Sequence, residues 1–319
     1  MGETKKVFFI GDVAMDEYYS APYFPKIKEK ILVQTLPAQM GGMIANAACV
    51  YAGYGAPVSF LTALNPGAVS KELCRGLNEA GIDTEFMVWD ESLPDAKTII
   101  ILAEREHTVF IPTLNLQRIE LSGEAMEALR QADYIYSTFC ELRPLRFGEM
   151  TACQVLEDVK ARGCRLWVDL DVADIQDGDE SLFGYVDTLF VNEKGYENLE
   201  KRAGGDVCAW LYAKGLRRLI VTQAEKGCTV YCRDEETFSV DGLKVPVVDV
   251  TGAGDTFCSS FLYGYTRGME LRQCAEFANY AASRAVTELG ARAGAVGAEA
   301  VLDWVEKHGG DRAEFENIL

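Results

Sequence analysis

A doubly wound α/β fold on a mostly parallel sheet, with a small extra β-sheet, is the architecture this sequence predicts. Three observations lead there. Apolar runs of strand length alternate with amphipathic helical patterns along most of the chain. A glycine-rich turn at Gly252 to Gly254 opens directly into a long helical pattern. Two strand-like stretches break the alternation and stand apart from it. With 319 residues, 49% of them apolar, the chain reaches the ~250–300 residues at which single cores stop growing. We therefore expect one domain over residues 1–319 with a small appendage.

The apolar run VFFIG at 7–11 reads as the first strand, followed by a helix over 44–54, the strand PVSFLTA at 57–63 and a helix over 69–80. A strand at 133–137, a helix over 147–162 and a strand at 165–169 continue the rhythm. The second half adds DTLFVN at 187–192, a helix over 205–215, RRLIVTQ at 217–223 and TVYCR at 229–233. Long helical stretches follow at 253–267, 270–289 and 297–307. No internal repeat interrupts the series.

KILVQTLPA at 30–38 and KTIIILAEREHTVFIPT at 97–113 fall outside it. The second reads as two strands joined by a charged tip from Glu104 to Glu106. A few strands without their own helices leave an apolar face open, which must cover a ligand, a partner subunit or both. The expectation is a lid contributed from about 13–40 and 96–113 that also pairs two copies into a homodimer. Periodicity alone leaves open that these strands extend the central sheet.

The formal net charge of −18 comes with no run of lysine or arginine, so nucleic acid and anionic membrane surfaces are not expected partners. Ten cysteines are scattered, and the pair Cys228 and Cys232 lacks the CxxC spacing of zinc or redox sites, which predicts reduced, buried thiols. The start MGETKKVFFIGDV has two lysines, a short apolar run and then Asp12, too little for a signal peptide or a spanning helix. A cytoplasmic protein is expected. The two histidines, His107 and His308, stand in polar settings without a second ligand type, so acid–base chemistry falls to a carboxylate.

The segment VVDVTGAGDTFCSSFLYGY, Val247 to Tyr265, carries that chemistry. It reads as a strand, a glycine turn and a helix start. Gly252, Ala253 and Gly254 carry little side chain, so helix-start N–H groups can approach an anion closely. Asp255 follows at once, placing a carboxylate near a hydroxyl that attacks a phosphorus held over that turn. No GK[ST] follows, and Phe257 stands at the third glycine position of GxGxxG, so this is neither a Walker A loop nor a dinucleotide fingerprint. Read alone, GAGD is most often just a helix start stabilised by the dipole.

The longer string DVTGAGDTF closely resembles the carboxy-terminal signature of the ribokinase (PfkB) carbohydrate kinase family, commonly written DTxGAGD. GDVAMD at 11–16 and GGMIANAA at 41–48 sit where that family has its substrate-binding aspartate and its di-glycine signature, so the resemblance spans nearly the whole chain. It implies a ribokinase-like three-layer fold and an ATP-dependent kinase. MgATP would give its γ-phosphate to a hydroxyl of a monosaccharide or sugar derivative, with Asp255 as general base and 252–254 as anion hole.

By the same resemblance Asp16, Gly42 and Asn46 would contact the sugar, with Asp12 a second candidate from the same strand end. Carboxylates and an amide suit a polyol, because they satisfy several hydroxyls at once. Thr222, Gly227 and Asn279 would lie on the nucleotide side, together with Asn192. VDLDV at 168–172 offers Asp169 and Asp171 for hydroxyl or metal contacts, or as caps of the next turn. Asp249 and the Gly290 to Gly294 segment resemble a monovalent-cation loop, which implies potassium as a possible effector.

Departures are equally specific. The family's NxxE element is here Asn192-Glu193-Lys194-Gly195, with Glu193 and Glu197 as the nearby substitutes for its glutamate. Met43 stands where ribokinase has a lysine and Ala14 at a polar sugar-contacting position, so ribose is not supported. VTQAEKGC and GARAG resemble the sulfofructose kinase branch, without a matching set of sulfonate ligands. A nucleoside kinase of the same family is the alternative reading, and a non-catalytic sugar or nucleotide sensor is the rival from another class. A nicotinamide dehydrogenase is disfavoured by the missing fingerprint.

Overall fold

Val7, Phe8, Phe9 and Ile10 are all apolar and all buried, the pattern of a parallel strand covered on both faces. In the computed structural model, which describes residues 4–104, 106–170 and 175–318, this strand sits inside an eight-stranded sheet. The order across it is Phe238–Val240, Cys228–Cys232, Arg218–Thr222, Val186–Asn192, Arg165–Leu170, Tyr134–Ser137, Val7–Ile10 and Val58–Leu61. The strands from Arg218–Thr222 to Val58–Leu61 run parallel. The remaining two are antiparallel.

Alternate side chains of each strand feed opposite cores. Phe9, Phe60, Tyr136, Trp167, Phe190 and Ile220 pack on one face, under the helices Met43–Gly53, Ala253–Thr266, Leu271–Ala285 and Ala298–Lys307. Phe8, Ile10, Ile135, Val168, Leu189 and Leu219 pack on the other, under Gly123–Arg130, Ala152–Ala161 and Val207–Ala213. The result is the doubly wound sheet expected from the alternation, in the three layers that the family resemblance implies.

Val7–Ile10 lies between Val58–Leu61 and Tyr134–Ser137, so the chain leaves it first to one side and later to the other. Open α/β sheets bind ligands beyond the carboxyl ends of strands at such a reversal. Asp12 stands just beyond the end of this strand.

The two irregular stretches do not extend the central sheet. They form a separate five-stranded sheet in the order Gln34–Thr35, Ala14–Ser20, Lys97–Ala103, Glu106–Phe110, with Gln39–Gly41 also paired to Ala14–Ser20. Glu106–Phe110 is exposed along its whole length, and Ile27, Leu32, Val109, Phe110 and Ile111 leave apolar surface uncovered. Arg105, in the charged tip, lies outside the described residues.

Several boundaries differ from the sequence expectation. The helix expected over 147–162 starts at Ala152, because Thr151 and Gln154 form a capping box there. The helix expected over 270–289 stops at Ala285. Its continuation turns away, and the Val286 carbonyl accepts from the N–H groups of Val248 and Asp249. That contact also replaces the strand expected before the glycine turn: the segment is irregular, and Val247, Val248 and Val250 are exposed. The helix Glu193–Ala203 was not anticipated, since only Gly195 and Leu199 of it are buried.

No disulfide forms among the described residues, and seven of the ten cysteines are buried. No described helix is long and apolar enough to cross a membrane.

Candidate active site

Two helices lie side by side, Met43–Gly53 and Ala253–Thr266, and buried hydroxyls lock them together. Ser259 Oγ donates to the Ala47 carbonyl at 2.6 Å, Tyr54 Oη and Ser260 Oγ are 2.6 Å apart, and Tyr51 Oη and Thr266 Oγ1 are 2.9 Å apart. Buried polar groups need such partners. The pairing brings both amino-terminal ends to one corner.

The first corner residue is Asp12. Its Oδ2 accepts from Met43 N at 2.9 Å and its Oδ1 from Ile44 N at 3.0 Å, so it caps the helix. Gly42 precedes that helix at φ 101°. A Cβ there would stand 2.6 Å from the Asp12 carbonyl oxygen, and the positive φ would strain any other residue in any case. Gly41 serves differently: a Cβ on it would overlap the carboxylate of Asp16. The di-glycine thus makes room for one aspartate and lets the chain cross beside another.

Asp16 lies in the separate sheet, opposite Gln39 and Thr98. Burial pushes its carboxyl above the ordinary range; a hydrogen bond with Thr98 and the charge of Arg292 oppose that rise, and Asp12 adds to it.

Asn46, only 6% exposed, joins the two helix ends. Its Nδ2 donates to Asp255 Oδ2 at 3.2 Å, and its Oδ1 accepts from Arg292 Nε at 3.1 Å.

Gly252 adopts φ 77° and the helix begins at Ala253. Its missing Cβ is filled by the Ala291 carbonyl, and the missing Cβ of Gly294 by Thr256. The 290–294 loop therefore presses directly on the turn. Asp249 ties the two together: Oδ1 accepts from Thr251 N at 2.9 Å and Oγ1 at 2.7 Å, and Oδ2 accepts from Gly290 N at 3.0 Å. Burial pushes this carboxyl up, but those hydrogen bonds outweigh it and leave it below its usual range.

Behind Asp255, the buried Tyr136 donates to Asp169 Oδ2 at 3.0 Å. Burial drives the Tyr136 hydroxyl well above its ordinary value, with the charges of Asp169 and Asp255 in the same direction. Asp169 thus belongs to the same corner. Asp171 lies outside the described residues.

The other expected residues lie farther along. Thr222 ends the strand four places across the sheet from Val7–Ile10, about 19 Å at ~4.8 Å per strand. Its Oγ1 donates to the Val191 carbonyl at 3.3 Å, and it is paired in register with Asn192. Asn192 caps its helix through Gly195 N at 2.7 Å. A Cβ on Gly227 would overlap the Val240 carbonyl, and Asn279 donates to the carbonyls of Val240 at 3.5 Å and Asp241 at 3.3 Å. Asn279 lines a cleft of about 300 Å³ together with Gly242, Leu243 and Tyr280, and Gly227 packs against the backbone of Gly242. The proposed substitutes for the missing glutamate are engaged elsewhere, Glu193 with Lys226 and Glu197 with Lys194.

Three contributors were not anticipated: Arg292, Tyr136 and the role of Gly41. The signal for Arg292 was present, an arginine flanked by small residues in GARAG, but nothing in the sequence says that this loop meets the Gly252 turn.

Residues 4–296 match the model of the pfkB family carbohydrate kinase. A ribokinase of Haemophilus influenzae is 24% identical over 311 residues, covering 95% of this chain and 99% of that protein. A nucleoside kinase of Methanothermobacter thermautotrophicus is 22% identical over 302 residues, covering 91% and 92%. The structure of Arabidopsis thaliana ribokinase complexed with ribose and ATP is similar at a TM-score of 0.81 and 22% identity, covering 95% of this chain and 99% of that one. That likeness shows a shared fold.

Proposed function

This chain belongs to the pfkB family of carbohydrate kinases, and from that membership we propose that it moves the γ-phosphoryl group of ATP to a hydroxyl of a monosaccharide or sugar derivative. The observation that carries the reading is the Asn46–Asp255 hydrogen bond at 3.2 Å. It sets an acceptor-side amide against a carboxylate in the first turn of a helix.

Asp255 takes the proton of the attacking hydroxyl as the new O–P bond forms and the bond to the ADP oxygen breaks. The N–H groups of the 252–254 turn stabilise charge on the transferring group. Asp16, Gly42 and Asn46 hold the acceptor, and Asp12 acts through its cap on the acceptor helix. The nucleotide extends toward Thr222, Asn192, Gly227 and Asn279, a span of several strands that suits a triphosphate and a base.

Magnesium, when bound with the nucleotide, neutralises charge on its β- and γ-phosphates. It takes hard oxygen ligands and needs only one or two carboxylates besides the phosphates. The side chains fit that modest demand, with Asp169 near the corner as the carboxylate that would hold it. No cluster of three candidate ligands exists among the described residues. A potassium ion would belong beside Asp249 and the 290–294 loop, as an effector that shapes the turn.

Sheet Ala14–Ser20 with Lys97–Ala103 closes over the acceptor and keeps water from competing as nucleophile. Its exposed outer apolar residues pair two copies.

Incubating the protein with MgATP and a panel of polyols and nucleosides, with ADP release and product mass as readouts, tests the reading. A phosphorylated sugar is expected. A nucleoside monophosphate would favour the alternative that the Methanothermobacter thermautotrophicus relative suggests, and binding without product from any acceptor would favour a sensor.

A further inference from the structure

Arg292 Nη2 is buried and has no hydrogen-bond partner. An unpaired buried donor is costly, the more so when it is charged, so each case calls for a reason. The loop does not need this side chain for its own shape. Arg284 already holds it by donating from Nη1 to the Ala293 carbonyl at 3.2 Å, and Asp249 holds it through Gly290 N.

What Arg292 does contact is the acceptor corner. Its Nε donates to Asn46 Oδ1 at 3.1 Å. A side-chain amide has one acceptor end and one donor end. With the oxygen fixed on Arg292, the NH2 must face Asp255, which is where it donates at 3.2 Å. The guanidinium charge also reaches Asp16 and Cys49. The arginine thus lies within electrostatic reach of Asp16, with an orphan donor at Nη2.

We propose that Arg292 positions the acceptor: it fixes the amide of Asn46 toward Asp255, and its buried Nη2 is the donor that an oxygen of the acceptor meets as binding rearranges this corner. The inference rests on reading the site as a phosphotransferase. It names a residue from the carboxy-terminal loop as a determinant of acceptor choice. A planar fork serves both contacts at once, whereas a lysine offers a single point of donors.

The test is steady-state kinetics of Arg292→Met, Asn46→Ala and the double variant, with the best acceptor from the polyol panel. Arg292→Met is expected to lower kcat/KM for the acceptor by ~10²-fold, the scale of misplacing a reacting group, with KM for ATP unchanged. The double variant is expected to lose little more than either single one, because the two residues act as a unit. Arg292→Lys, which keeps the charge and guards against a variant that fails to fold, is expected to recover only part of the loss. Three results would overturn the proposal: an unchanged acceptor kcat/KM in Arg292→Met, losses that multiply with those of Asn46→Ala, or full activity in Arg292→Lys. A wild-type protein that phosphorylates no acceptor would instead refute the phosphotransferase reading itself.

Discussion

Gly41 and Asp16 occupy each other's space: a side chain on the glycine would overlap the aspartate's carboxylate. Both lie in the antiparallel pairing of Gln39–Gly41 with Ala14–Ser20, where Gly41 is opposite Ala14 and Asp16 is two residues farther along the strand. Gly41→Ala should therefore push Asp16 from its place. We expect KM for the acceptor to rise by ~10-fold or more, as for a misplaced ligand group, while KM for ATP stays the same. Initial rates with each substrate varied in turn check this.

Gly252→Ala probes the turn itself. The new Cβ would meet the Ala291 carbonyl at a backbone of φ 77°, so strain of about 1–3 kcal/mol is expected. Thermal melting should fall by several degrees, and turnover should fall with it because the 252–254 amides lose their aim.

If Asp16 holds the acceptor as proposed, its raised pKa should make acceptor binding pH-dependent. As pH falls toward that value the carboxylate takes a proton and loses capacity to accept from hydroxyls. The acceptor KM should thus rise on the acid side, at a pH above the ~3.9 of an ordinary aspartate. In Asp16→Asn that dependence should vanish from KM, at the cost of weaker binding throughout. The sign for stability follows from linkage: a carboxyl whose folded pKa is raised contributes fully below its unfolded pKa, and that contribution is lost as pH rises through the folded one.

Exposed apolar residues of the separate sheet give a prediction about assembly. Ile111 is 77% exposed and Phe110 55%, and neither contributes to the acceptor corner. Converting both to aspartate should shift the mass seen by light scattering from dimer to monomer. An unchanged mass would remove this face as the pairing surface.

Much of this was legible in the chain because it depends on local pattern. Val7–Ile10 announces a central strand by four buried apolar residues in a row, and the long helix after Gly252 follows from its turn chemistry. The helix Glu193–Ala203 was hidden because it buries so little, leaving no apolar stripe to detect. The site divided the same way. Asp255 and Gly252 stand together in one motif, and Asp16 and Asn46 in two others. Arg292 enters by tertiary packing alone, where a carbonyl fills the space beside Gly252, and periodicity carries no trace of such a contact. Asp12 was expected as a sugar ligand, and its two oxygens are found on helix N–H groups, a use that requires knowing how the strand end meets Gly42.

The central claim is that Asp255 takes the acceptor's proton. Turnover of Asp255→Asn on the best acceptor, with ATP binding measured alongside, tests it most directly. The expected result is a loss of about 10²–10⁴-fold in kcat with nucleotide affinity preserved, the size associated with a positioned base. An Asp255→Asn protein that turns over as fast as the native one would contradict the account.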